Sequence, residues 1–170
     1  MGTLVVTGHR PEKLGGYGWD VFSKLVRFAM EVIRGQKPDT VISGMALGWD
    51  MAVAIATIKL RDEEHMNIRL LCAVPFSSQS TVWRDPKAVF LYTKILCRAD
   101  EVELLRRGKP KSSWEAALWL NERNHWMINN GDTLLALWNG TQGGTRNAVY
   151  YAMEHACPYV NVWDRWVGFR

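Results

Sequence analysis

Residues 4–10 read Leu-Val-Val-Thr-Gly-His-Arg, and this stretch decides the fold. Three aliphatic residues followed by Thr7 and Gly8 are typical of a strand that is buried on both faces, as strands of parallel sheets are. A glycine turn comes next, and apolar residues then recur with helical spacing from Trp19. The stretch therefore predicts the first strand and the first turn of an α/β fold.

The rest of the chain repeats this alternation of strand and helix patterns. Further strands are predicted at 40–44, 68–74, 101–105, 133–138 and 159–163. Helices are predicted at 19–34, 49–61, 85–98 and 112–130 with their caps included, and a last helix begins at 143–145. Because this alternation favours parallel pairing, we expect one Rossmann-like, doubly wound α/β domain over residues 1–170, with a mostly parallel sheet and helices on both faces.

Composition narrows the classes of partner. The net charge of +4 is compatible with an anionic ligand, but 21 basic residues are mixed with 17 acidic ones, so we expect no nucleic-acid partner. The three cysteines lack the spacing of a zinc site, and we expect neither a metal nor a cofactor. No stretch approaches the roughly 20 apolar residues that span a bilayer, so we expect a cytoplasmic protein without a membrane contact.

Ligands of open α/β sheets bind at the carboxyl ends of the strands, and three loops follow predicted strands here. In the first loop, Thr7 offers a hydroxyl group and Gly8 allows close approach of the backbone to a ligand. His9 has two interpretations. It donates a proton or a hydrogen bond to a ligand, or it is held in place by hydrogen bonds to the backbone. Arg10 offers a guanidinium group that pairs with phosphate or carboxylate.

The other two loops each place glycines at the start of a helix, whose amide groups favour an anion. The second loop, 43–50, contributes Ser43, Gly44, Gly48, Trp49 and Asp50. The third loop contributes Gly143, Gly144 and Thr145. We expect the three loops to be walls of one pocket, although glycine in such a turn often satisfies backbone geometry alone. Neither a P-loop ending nor a full dinucleotide fingerprint is present, so neither an ATPase nor an ordinary dehydrogenase is favoured.

Several side chains have two interpretations at this point. Asp50 is either a helix-capping carboxylate or a group that binds ribose or acts as a base. Trp49 and Trp138 lie near the predicted ligand edge, where an indole could stack on a base, but either could instead pack within the protein. The helix that carries Trp114, Trp119 and Trp126 could form a symmetric interface, so we expect a homo-oligomer, a dimer or higher.

Together these residues resemble the YpsA-like branch of the SLOG superfamily, which also includes the LOG phosphoribohydrolases and the Smf/DprA DNA-processing proteins. The resemblance rests on residues 7–11, 43–50, Trp83, 123–124 and 143–145. It implies a Rossmann-like fold and a pocket for a nucleotide or a nucleotide-derived ligand of the phosphoribosyl or ADP-ribose kind. Such a protein could sense its ligand or sequester it.

The resemblance also identifies a departure that bears on catalysis. Arg123 matches an arginine of LOG enzymes, but Ala148 stands where those enzymes have a glutamate. Because N-glycosidic hydrolysis needs a carboxylate or its equivalent, the sequence favours binding over cleavage. The alternative is a nucleoside-monophosphate phosphoribohydrolase or related N-glycosidase that uses Arg123 with Asp50 or Glu122. A further alternative is single-stranded DNA binding, as in the Smf/DprA relatives.

Overall fold

The computed structural model describes residues 2–170, and a six-stranded sheet runs through it. In chain order the strands are β1 (Thr3–Gly8), β2 (Thr40–Ser43), β3 (Arg69–Val74), β4 (Glu101–Leu104), β5 (Thr133–Leu137) and β6 (Tyr159–Asn161). Neighbouring strands pair in parallel in the order β4-β3-β2-β1-β5-β6. The predicted parallel sheet is confirmed, and residues 2–170 contain no antiparallel pair.

Six α-helices follow the strands within the described part of the chain. They are α1 (Trp19–Gln36), α2 (Trp49–Asp62), α3 (Pro86–Arg98), α4 (Ser113–Asn129), α5 (Gly144–Glu154) and α6 (Trp163–Phe169). The capping predictions are correct, since the Asp85 side chain accepts from the amide of Lys87 and the Ser112 side chain accepts from that of Glu115. Short 3-10 turns at Pro11–Lys13 and Gln79–Val82 were not predicted.

The end of the chain differs from the prediction, in which the sixth strand extended to Trp163. Instead, β6 ends at Asn161 and Trp163 begins α6. The helix buries the indole of Trp166 completely, and its ring lies 5.5 Å from that of Phe28 in α1. Burial of this large apolar surface stabilises a helix where the local residues alone favour a strand.

The helices form a layer on each face of the sheet. Leu4 and Val6 of β1 belong to the core cluster with residues of α1, α2, α3 and α6, whereas Val5 packs in the cluster with residues of α4 and α5. This alternation follows from the two-residue period of a strand. The doubly wound architecture predicted from the sequence is therefore confirmed.

Strand order reverses between β1 and β5, which makes their carboxyl ends the switch point at which ligands of such sheets bind. The three glycine loops follow β1, β2 and β5, so the fold brings all three to this edge. Among residues 2–170, no helix combines the length and the apolar character that crossing a membrane requires.

Candidate ligand-binding site

The first loop begins at Gly8, and the space beside this glycine is filled by the protein itself. A Cβ atom added at Gly8 would lie 2.6 Å from Cβ and Cγ of Trp49. Trp49 is completely buried, with its ring centroid 5.7 Å from that of Phe28. The prediction that Trp49 stacks on a base is therefore wrong, because its indole belongs to the core and presents no face to a ligand.

The second loop contains a glycine that is filled in the same way, but by a charged group. Arg123 of α4 is only 4% exposed, and its Nη1 donates to the carbonyl oxygen of Gly44. Its Nε donates to Oδ1 of Asn124 at 2.9 Å. Burial lowers the pKa of Arg123, and the nearby carboxyl group of Asp50 opposes that shift.

Two residues that sequence reasoning missed support this arrangement from behind. Nε2 of Gln79 donates to the carbonyl oxygen of Gly44 at 3.2 Å, and the hydroxyl of Tyr92 donates to Oε1 of Gln79 at 3.0 Å. Gln79 and Tyr92 are both buried. Since they lie far from Gly44 in the chain and match no local motif, no sequence pattern pointed to them.

Asp50 lies at the start of α2 and is 4% exposed. Burial raises the pKa of its carboxyl group to about 6, although Arg123, the amide of Ala46 and Arg10 all favour the ionised form. The amide of Ala46 lies 3.5 Å from Oδ2. The carboxyl group of Asp50 is therefore protonated more readily than that of an exposed aspartate.

Ser43 and Gly48 shape the second loop. The hydroxyl of Ser43 donates to the carbonyl oxygen of Asp50 at 2.9 Å and accepts from the amide of Met45 at 3.2 Å. Gly48 has a φ of 95°, and a Cβ atom there would lie 2.7 Å from the carbonyl oxygen of His9. Ser43 therefore joins the two ends of the second loop, and Gly48 lets the backbone of this loop lie against the first loop, which is the structural interpretation of such turns.

His9 connects the carboxyl ends of β1 and β5. Its Nε2 lies 2.6 Å from Oδ1 of Asn139, and its ring meets that of Trp163 edge-on at 5.8 Å. Burial lowers the pKa of His9, with Asn139 opposing the shift and Lys13 adding to it. His9 is thus a neutral link between strands near pH 7 and supplies hydrogen bonds rather than charge.

Arg10 differs from these residues because it is exposed and its guanidinium group makes no hydrogen bond or ion pair with residues 2–170. It is near enough to Asp50 and Arg123 to affect the pKa of both. Lys13, three residues further on, donates from Nζ to Oγ1 of Thr141 at 2.6 Å. This contact holds the first loop beside the third.

The glycines of the third loop have free space beside them. A Cβ atom at Gly143 or Gly144 would meet nothing within 4 Å, and no side chain caps the first turn of α5. Thr145 and Thr7 are buried, and neither hydroxyl group makes a hydrogen bond to a described residue. Of the three loops, this is the one whose glycines leave room for a ligand at a helix N-terminus.

Trp138 lies beside the third loop and is half-buried. Its indole N–H donates to the carbonyl oxygen of Thr141 at 2.8 Å, and Tyr150 meets its ring edge-on at 6.2 Å. These contacts make Trp138 a wall of the loop. The part of its indole that remains exposed is available to a ligand.

A cleft of about 820 Å³ opens beside these loops, between the first and second loops, the segment before α3 and the first half of α4. Arg10 and Gly48 are the predicted site residues that line it. Most of the lining is apolar and includes Leu14, Trp19, Phe22, Met51, Phe76 and Trp83. The expectation that three loops wall one pocket is corrected, because residues 143–145 do not line this cleft.

The fold and the loops define a Rossmann-like protein with a cleft beside the carboxyl ends of its strands. The family model YpsA, described as the YspA SLOG family, matches residues 4–160. The chain belongs to this family, as its sequence motifs predicted.

Relatives agree with this assignment. The SPbeta prophage-derived protein YoqJ of Bacillus subtilis is 30% identical over 137 residues, which are 77% of this chain and 79% of that protein. DNA processing protein A of Streptococcus pneumoniae has a similar fold, with a TM-score of 0.59 and 15% identity over 92% of this chain. DNA processing protein A of Helicobacter pylori, which binds single-stranded DNA, has a TM-score of 0.57 and 14% identity over 92% of this chain. This chain spans 48% and 63% of those two proteins, and at such identities the likeness concerns the fold alone.

Proposed function

We propose that this protein binds a phosphate-bearing, nucleotide-like small molecule and acts as its sensor or as a sequestering protein. One observation carries the proposal. The guanidinium groups of Arg10 and Arg123 both lie near enough to Asp50, at the carboxyl edge of the sheet, to favour its ionised form, and neither forms an ion pair within residues 2–170. Two cations beside one carboxyl group leave positive charge for an anion.

The N-terminus of α5 supports the same proposal from the opposite side of the switch point. Its glycine turn is open, and the hydroxyl group of Thr145 has no partner among the described residues. The amides of a helix N-terminus and a free hydroxyl group suit phosphate oxygens. Phosphate at this turn would leave the rest of the ligand to extend along the strand ends towards Arg10.

Residue 148 favours binding over cleavage. Ala148 is 1% exposed and packs in the core between the sheet and α5. No carboxylate is therefore available at that position to stabilise a cationic sugar or activate water. Glu122, the other candidate, forms an ion pair through its Oε2 with Nη2 of Arg106 at 2.8 Å.

Calorimetric titration with nucleoside monophosphates, NAD, ADP-ribose and cyclic nucleotides tests the proposal. We expect saturable heat for at least one of them and recovery of the intact ligand by chromatography afterwards. Absence of heat for every ligand at millimolar concentration would overturn the proposal.

A second candidate function is N-glycosidic hydrolysis, and the carboxyl group of Asp50 is the observation that favours it. With a pKa of about 6 and Arg123 nearby, Asp50 could transfer a proton near neutral pH. Chromatography of AMP incubated with the protein would then detect free adenine. Release that is lost in both Asp50→Asn and Arg123→Ala would support this function, and release that survives in Arg123→Ala would remove these residues from it.

A further inference from the structure

Apolar side chains make up most of the lining of the cleft. We infer that the part of the ligand inside it is an alkyl, acyl or aryl group attached to the anionic part, so that the ligand is an amphipathic organic anion. This inference rests on the proposed function, because the same Arg10 lies at the rim of the cleft.

The polar side chains that line the cleft are few, and two of them are already engaged. The amide of Gln79 uses Nε2 for Gly44 and Oε1 for Tyr92. The carboxylate of Asp85 accepts from the amide of Lys87 at the start of α3. The hydroxyl of Tyr17 donates to Glu12, which leaves the hydroxyl of Ser113 and the indole N–H groups of Trp19 and Trp83 beside the two arginines. A base or a ribose buried here would regain only part of the hydrogen bonding that it has in water, whereas alkyl or aryl carbon loses none.

Two arginines and one aspartate line the cleft. The guanidinium groups of Arg10 and Arg84 make no hydrogen bond or ion pair with residues 2–170. Asp85 is the acidic residue in the lining, and it caps α3. An anionic head group at the rim would therefore meet two free guanidinium groups while its apolar body lies below.

The size of the cleft suits such a body. About 820 Å³ lies within the range of pockets that enclose drug-sized ligands. The aromatic rings of Trp19, Phe22 and Trp83 line it, together with aliphatic side chains such as Met51. Transfer of aliphatic or aromatic carbon from water to these walls is favourable in proportion to the area buried.

A homologous series of phosphates tests the inference. Inorganic phosphate and butyl, hexyl and octyl phosphate, each below its micelle concentration, are titrated calorimetrically into the full chain. We expect the affinity to rise about fourfold for each added methylene, the equivalent of about 0.8 kcal/mol per buried CH₂. Octanol, which lacks the charge, is expected to bind at least about tenfold more weakly than octyl phosphate.

Two pairs of variants locate the effect. Ala117→Trp places an indole in the cleft and is expected to reduce octyl phosphate affinity at least tenfold, whereas Glu31→Trp, at an exposed position of α1 outside the lining, is expected to leave it unchanged. Arg84→Ala is expected to weaken octyl phosphate about tenfold, with Lys87→Ala as its matched control.

An affinity that does not depend on chain length, or a dependence that persists in Ala117→Trp, would overturn the inference. AMP is titrated in parallel so that the two failures can be told apart. AMP binding without dependence on chain length would overturn this inference and leave the proposed function standing. An affinity that rises with chain length, without AMP binding, would support this inference and exclude a nucleotide as the ligand.

Discussion

The guanidinium group of Arg123 occupies the space that a side chain at Gly44 would need, since a Cβ atom there would lie 2.8 Å from its Nε. The same group donates to the carbonyl oxygen of Gly44. The two residues are 79 positions apart, and their contact joins α4 to the carboxyl end of β2. A glycine that the sequence presents as open to a ligand is therefore filled by a buried charge of the protein.

Gly44→Ala is expected to destabilise the protein by about 1–3 kcal/mol, because the added methyl group overlaps the guanidinium group in a packed site. It is also expected to weaken AMP binding, because Arg123 must move. Thermal denaturation and calorimetry measure the two effects. Gly35→Ala in α1 is the matched control, since its Cβ atom meets nothing within 4 Å and alanine favours a helix by up to about 1 kcal/mol. Equal melting temperatures for Gly44→Ala and the native protein would contradict the packing described here.

Asp50→Asn is expected to change how stability depends on pH. The pKa of Asp50 in the folded protein, about 6, lies above its ordinary value of 3.8, so the folded state holds this proton more tightly than the unfolded state. The resulting stabilisation is complete below pH 3.8 and is lost as the pH rises through about 6. At 1.36 kcal/mol per pKa unit, ionised Asp50 costs about 3 kcal/mol above that pH.

The asparagine variant removes this titration. Urea denaturation is expected to find it about as stable as the native protein at pH 4 and more stable by up to about 3 kcal/mol at pH 8. A variant that is less stable at pH 8 would contradict the expectation and would mean that the attraction between Asp50 and Arg123 exceeds the cost of burial.

Nucleotide binding is expected to depend weakly on salt, and an oligothymidylate of about 20 nucleotides is expected not to bind. The basic segment 106–111 is partly neutralised, because Arg106 pairs with Glu122 and lies over the ring of Trp119 at 5.3 Å. Fluorescence anisotropy between 50 and 200 mM salt measures the binding of the oligonucleotide. Binding of the oligonucleotide that falls by a factor of about a thousand over that range would contradict the expectation and favour a DNA-binding function.

We expect the protein to be a dimer through the first half of α4. Trp114 is 73% exposed and Leu118, one turn further on, is 40% exposed, so an apolar side of this helix faces outward. Light scattering after size exclusion is expected to give the mass of a dimer for the native protein and of a monomer for Trp114→Lys. Phe90→Lys, at a residue that is 65% exposed on α3, is the control and is expected to remain dimeric. A native protein that is monomeric at tens of micromolar would contradict this prediction.

The sequence predicted the sheet and five of its helices because their signals are local. Apolar periodicity identified α1, and the capping residues Asp85 and Ser112 marked the starts of α3 and α4. The loops were also located correctly, since every strand of a parallel sheet ends at the same edge. The start of α6 at Trp163 could not be predicted, because that helix depends on burial of Trp166 against distant residues.

The site itself was only partly predictable for the same physical reason. Arg10, Asp50 and Arg123 were identified from their position in motifs, and the structure places all three near one another. By contrast, Trp49 fills the space beside Gly8, and the polar chain through Gln79 depends on contacts between remote segments. A sequence pattern locates a glycine at a loop, but only tertiary packing decides what occupies the space beside it.

The measurement that tests the central claim most directly is calorimetric titration of AMP and ADP-ribose into the native protein, Arg10→Ala and Arg107→Ala. The guanidinium group of Arg10 is exposed and has no partner among residues 2–170, so its removal is expected to change stability by less than about 0.5 kcal/mol while weakening binding about 10- to 100-fold. Arg107 is equally exposed but does not line the cleft, and its removal is expected to leave binding unchanged. Equal affinities in all three proteins, or no heat from the native protein at millimolar ligand, would contradict the account.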